Sequence, residues 1–182
     1  MIIGITGISG SGKTTAAKAW AARYGAEHLD VDAIGHQVLA ENNIVRRAAR
    51  LLFGSTERPI ISRQVFASGW KLFLWSAIIQ PFMRRIILKK LRNPTKSFVL
   101  DAALLHQMRL DRYCDKVIFI DAPEERLRAR LEAKGLSSAQ ILRRLAVNQK
   151  VYVYKPRADV QIVNNGSLAA LQKNIEKIYP LP

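Results

Sequence analysis

M-I-I-G-I-T-G-I-S-G-S-G-K-T, residues 1–14, decides the fold. Its first six residues are an apolar, β-branched run stopped by glycines, the pattern of a short strand buried in a parallel sheet. Residues 7–14 then match G-x-x-x-x-G-K-[ST]. A loop that aims several successive N–H groups at one anion needs backbone angles that a side chain forbids, and glycine permits them. In such a loop Lys13 reaches the β/γ-phosphates and the Thr14 hydroxyl ligates Mg2+. Thr15 to Arg23 is Ala-rich and favours helix, so the loop leads onto a helix N-terminus with its partial positive charge. Strand, loop and helix together mark a nucleoside-triphosphate phosphate site. Its candidate contacts are Gly7, Ser9, Gly10, Ser11, Gly12, Lys13, Thr14 and Thr15.

Working outward, Gly25 reads as a helix C-cap and Glu27 to Asp30 as a second strand ending in acid. Asp30-Val31-Asp32 thus falls at the C-terminal end of a strand, where open α/β sheets bind ligands. Asp32 has two readings from local sequence: a helix cap before Ala33 to Leu39, or a carboxylate aimed at the γ-phosphate. Ser97 to Asp101 reads as a third strand, Lys116 to Asp121 as a fourth and Val160 to Val163 as a fifth. Helices are expected between them, including a short one over Leu104 to Leu110 and a closing one over Leu168 to Ile178. Gly135-Leu-Ser-Ser138 divides two helices, with Ser137 or Ser138 as cap. Strands alternating with helices predict a three-layer α/β fold around a five-stranded parallel sheet.

The stretch 42–96 differs in kind. Apolar positions recur there at helical spacing, and Arg46, Arg47, Arg50, Arg58, Arg63, Lys71, Arg84, Arg85, Lys89, Lys90, Arg92 and Lys96 face the single acid Glu57. It reads as a basic helical insertion, and Trp20, Trp70 and Trp75 as packing residues. With 182 residues and 49% hydrophobic content the chain suits one compact domain. A net charge of +15 calls for a polyanionic partner, either nucleic acid or a small ligand carrying several phosphates. The single cysteine, Cys114, excludes an internal disulfide and suits a reducing cytoplasm. The apolar N-terminus lacks the basic start of a signal peptide, and Leu72 to Met83 is too short to span a bilayer.

Taken together these residues resemble the dephospho-coenzyme A kinase family. The resemblance rests on Gly7 to Thr15, on Asp30 to His36 against D-A-D-x-I-A-[RH], and on Asp101 to Leu105 against D-x-P-L-L. It extends to Val117 to Pro123, Gly135-Leu136-Ser137, Gln149, and Ala158 to Ser167 against A-D-x-V-I-x-N-x-G-S. It implies transfer of the ATP γ-phosphoryl to the 3′-hydroxyl of dephospho-coenzyme A, the last step of coenzyme A biosynthesis. It further implies a P-loop kinase domain over 1–182, a helical acceptor lobe over 42–96 and a helical lid over 124–155. By the same resemblance Asp32 takes the proton of the attacking hydroxyl, and Lys13 and Arg130 neutralise the transferring phosphoryl. Asn165 joins the nucleotide contacts, and Mg2+ is held by Thr14 directly and by Asp101 through water. A cytoplasmic monomer is expected.

Several positions depart from the family pattern: Ile8-Ser9 in the loop, Gln80, Ala103, and His106-Gln107 where F-E is usual. The loop variant is similar to uridine-kinase loops and keeps open another small-metabolite kinase on the same core. A nucleic-acid-binding P-loop protein is the reading from charge alone. The absence of a recognisable motif with interleaved aromatics weighs against it.

Overall fold

The computed structural model describes residues 1–166, 170, 171, 173 and 174. The expected closing helix over 168–178 falls mostly outside them; 170, 171, 173 and 174 are helical. Five strands form one all-parallel sheet: β1 (Ile2–Gly7), β2 (Glu27–Asp30), β3 (Phe98–Asp101), β4 (Lys116–Asp121) and β5 (Val160–Val163), in the order β2-β3-β1-β4-β5. β1 is central, and the strand order reverses at it, so the loop that follows opens at the sheet's switch point. This is why an apolar sequence without polar alternation forms β1: both of its faces are covered.

One unit of the chain comprises residues 1–30 and 94–182, the other residues 31–93. In the first, Ile3, Ile5, Val99, Ile118, Ile120 and Ile162 pack against Ala16, Ala17, Trp20 and Ala21 of α1 (Lys13–Tyr24). The small alanines let α1 lie close to the sheet. Phe119 points the other way on β4 and gathers Ile8, Leu127 of α6 (Glu124–Glu132) and Val151 of α7 (Ser138–Tyr152) into a second layer. The result is the expected three layers. α7 begins at a reciprocal capping box, in which the Ser137 hydroxyl accepts from the Gln140 N–H and the Gln140 carboxamide accepts from the Ser137 N–H. Its foot is tied to the sheet by Asp121, whose carboxylate accepts from Tyr152 Oη at 2.7 Å and Lys155 Nζ at 2.6 Å. Burial, together with that bond and the Asp121 charge, pushes the Tyr152 phenol well above its usual pKa.

The second unit holds α2 (Val31–Glu41), α3 (Asn43–Phe53), α4 (Arg58–Ala67) and α5 (Gly69–Leu91). Trp75, Ile79, Met83 and Ile87 recur every four residues along α5 and are buried, with Phe53 edge-on to Trp75 at 5.4 Å. α5 runs unbroken through Pro81, which lies on an exposed position. Asn42 caps α3 by accepting from the Ile44 and Val45 amides, and Gly54 closes it in a left-handed conformation.

Two expectations are corrected. Residues 103–109 form successive turns rather than a helix, because Leu105, Met108 and Leu110 are drawn into the core at irregular spacing. Trp70 is 62% exposed instead of packed.

Two glycines with positive φ separate strain from crowding. A Cβ on Gly7 would collide with the Ile120 carbonyl, whereas one on Gly25 would meet nothing within 4 Å. Gly7→Ala is therefore expected to lower Tm by about 10 °C or more, and Gly25→Ala by only about 2–4 °C, read by thermal unfolding of the two variants.

Candidate active site

The loop between β1 and α1 is held by side chains that engage its carbonyls. Ile8 is fully buried in the Phe119 layer and fixes the loop at one end. Ser11 O accepts from Asn164 Nδ2 at 2.7 Å and from Arg130 Nη1 at 3.2 Å, and Gly10 O accepts from the same Nη1 at 3.2 Å. A trans peptide directs its N–H opposite to its C=O, so the Gly12 N–H is turned away from Asn164 and Arg130. Gly12 must be glycine twice over: its φ is 92°, and a Cβ would stand 2.5 Å from Asn164 Nδ2.

Gly10, Gly12, Lys13, Thr14, Thr15 and Arg130 line one cavity of about 500 Å3, together with Asn164. Four residues of the expected set are placed otherwise. Ser11 is fully buried and turns its carbonyl to Asn164 and Arg130. Gly7 packs its backbone on Ile120, and Ser9 donates its amide to Asn148 Oδ1 at 2.8 Å. Asn165 is exposed, its amide bonded to Val163 O at 3.1 Å, while Asn164 is the residue that touches the loop. Of the two asparagines in the N-N-G turn, it is Asn164 whose side chain bonds to the loop. Asn148 had no motif to signal it.

Asp101 ends β3 beside β1, in register with Ile5. Its side chain is only 4% exposed, and burial raises its pKa above the usual carboxylate value; a hydrogen bond with the Thr14 side chain and the Lys13 charge pull it back, Asp30 raises it and His28 lowers it. His28 Nε2 stands 3.5 Å from Asp101 Oδ2. Thr14, Lys13 and Asp101 thus converge. A hydroxyl and a buried, incompletely compensated carboxylate are hard oxygen donors, and they fit Mg2+. Among the described residues no three His, Cys, Asp or Glu side chains gather, so such an ion would draw its other ligands from phosphate and water. Burial, and after it Arg126, lowers the pKa of Arg130, which stays cationic.

In the helical unit, α2 starts at Val31, so Asp32 lies exposed inside the first turn rather than before it. A carboxylate there is favoured by the helix's partial positive charge. His36, Arg46, Thr56 and Arg58 line a second cavity of about 340 Å3 within this unit.

The dephospho-CoA kinase family model matches residues 1–170. A dephospho-CoA kinase of Latilactobacillus sakei is 30% identical over 188 residues, 97% of this chain and 93% of that protein. A Thermus thermophilus protein of known crystal structure superposes with a TM-score of 0.78 at 27% identity, covering 98% of this chain and 95% of the other. A dephospho-CoA kinase from Campylobacter jejuni shares the fold with a TM-score of 0.66 at 22% identity, covering 97% and 94%.

A carboxylate whose folded pKa is raised opposes folding once it is ionised, and the penalty is relieved as pH falls through that pKa. Asp101→Asn is therefore expected to raise Tm near pH 7.5 by about 2–4 °C while impairing phosphoryl transfer. The gain in Tm should shrink on acidification, and thermal unfolding at pH 5 and pH 7.5 beside a rate assay checks both halves.

Proposed function

The chain belongs to the dephospho-CoA kinase family, and from that premise we propose how its residues divide the work. The enzyme is an ATP-dependent kinase of coenzyme A biosynthesis, phosphorylating the 3′-hydroxyl of dephospho-coenzyme A to give coenzyme A and ADP. The observation that carries the assignment of roles is the convergence of Lys13, Thr14 and Asp101 at the switch point of the sheet. Phosphoryl transfer asks the protein mainly for positioning and charge neutralisation. The loop amides and Lys13 hold the β- and γ-phosphates, and the helix N-terminus of α1 adds its partial charge. Thr14 and, through water, Asp101 would hold Mg2+, which would supply charge neutralisation at the phosphates. Arg130 supplies a second cation beside the loop, lining the same cavity as Lys13. Asp32 accepts the proton of the attacking ribose hydroxyl.

The segment 124–155 serves as the lid, and the helices over 42–96 as the acceptor lobe. The cavity lined by His36, Arg46, Thr56 and Arg58 supports the second assignment, since an acceptor bearing phosphates suits a pocket with two guanidinium groups. The excess of basic residues in this lobe acts as a funnel for polyanions. Among the described residues no helix is long and apolar enough to cross a membrane. The cytoplasm is the setting we assign, on the strength of the free thiol of Cys114, which burial and then Asp111 raise to a pKa of about 12. A monomer is the assembly assigned.

An ADP-release assay over a panel of acceptors tests the assignment; turnover restricted to free nucleosides or sugars would reject it. In the same assay Asp32→Asn is expected to leave KM for ATP within about twofold and to lower kcat by about 10²–10⁴. Arg46→Glu is expected to raise KM for the acceptor by about three- to tenfold with KM for ATP unchanged. Equal effects on both substrates would remove that pocket from acceptor binding.

A further inference from the structure

Asn148 lies on the inner face of α7, 3% exposed, and its carboxamide meets the phosphate loop edge to edge. Oδ1 accepts the Ser9 N–H at 2.8 Å, and Nδ2 reaches back to Ser9 O at 3.5 Å. The pairing copies the donor–acceptor pattern of a neighbouring strand, and it holds a residue at the apex of a loop that has no regular structure of its own. Its geometry has a directional consequence. With Ser9 O facing α7, the planar trans peptide turns the next N–H, that of Gly10, away from α7. The Ser9 amide itself is consumed by Asn148, so it is not a phosphate donor; the donors begin at Gly10.

We propose that Asn148 is a positioning residue for the triphosphate, acting through Ser9 to set the direction of the Gly10 N–H. Asn148 is buried and Ser9 half-buried, so removing the side chain leaves the Ser9 amide and carbonyl without their partner at a site that water reaches only in part. The loop then relaxes to satisfy them, and the relaxation reaches the group that points at phosphate. Ile8 and the Asn164–Arg130 pair brace the loop on either side but make no hydrogen bond to Ser9. The same side chain links phosphate binding to the helix that carries Arg143 and Arg144. The proposal rests on the nucleotide reading of the loop, but not on the identity of the acceptor.

The test is a binding comparison with ADP and adenosine as probes, on Asn148→Ala and on Asn148→Leu, which keeps the buried volume. Loss of the latch is expected to weaken ADP about tenfold and adenosine less than twofold, because only ADP carries the phosphates that the loop grips. Equal weakening of both probes, or unchanged ADP affinity in folded variants, would overturn it. If neither variant folds, amide NMR of the native protein decides. Titration with ADP should move the Gly10, Gly12 and Lys13 amide resonances strongly and leave Ser9 nearly still; a Ser9 shift as large as theirs means that its N–H is donated to phosphate and the proposal fails. ADP that binds without any loop shift would overturn the nucleotide reading itself, an outcome distinct from failure of the latch.

Discussion

A loop can present amides to an anion only if its carbonyls have somewhere else to go. In this protein each carbonyl from Ser9 to Ser11 is taken by a side chain: Ser9 O by Asn148, Gly10 O by Arg130, Ser11 O by Arg130 and Asn164. Those partners come from α6, α7 and the turn after β5, which is why the sheet order and the packing of the Phe119 layer matter to the chemistry. Disturb any of these elements and the loop loses the constraint that aims its N–H groups. The glycines permit the conformation; the long-range side chains select it.

The ends of the strands carry the second ingredient, charge held where water is scarce. Asp101 sits at the tip of β3 with Thr14 and Lys13 as partners, yet burial still dominates its titration. A fold gains nothing in stability from such a carboxylate. Its cost is offset by the buried apolar side chains beside it on β1 and β3, Ile5, Val99 and Leu100.

Much of this was legible in the sequence, and the reason is local chemistry. The strands were readable to within a residue, because buried parallel strands are short apolar runs ended by glycine or acid. Lys13, Thr14 and Asp101 were readable because a motif or a strand tip fixes what they can touch. Asn148 was not: it contacts the loop from 139 residues away in the chain, and nothing in its immediate neighbours encodes that meeting. Asn164, 153 residues from its contact, stands at the N of A-D-x-V-I-x-N-x-G-S, a pattern that marks the position but not the partner. The turns over 103–109 escaped for a similar reason: His106 stacks on Tyr154 at 5.1 Å and contacts Asp111 at 3.0 Å, tertiary bonds that override a helix-compatible pattern. Trp70 shows the opposite limit, since helical spacing says that a residue shares a face with apolar neighbours but not that anything covers it.

The binding of Tyr152 and Lys155 to Asp121 gives α7 a fulcrum at its foot. Asn148 lies one turn from that pivot, and Ser138 ten residues further out, roughly 15 Å along the axis at the helical rise. A tilt of about ten degrees would sweep Ser138 through roughly 4 Å while Asn148 moves by about an ångström. With this geometry any tilt of α7 would be magnified toward Ser138, away from the end that meets the loop.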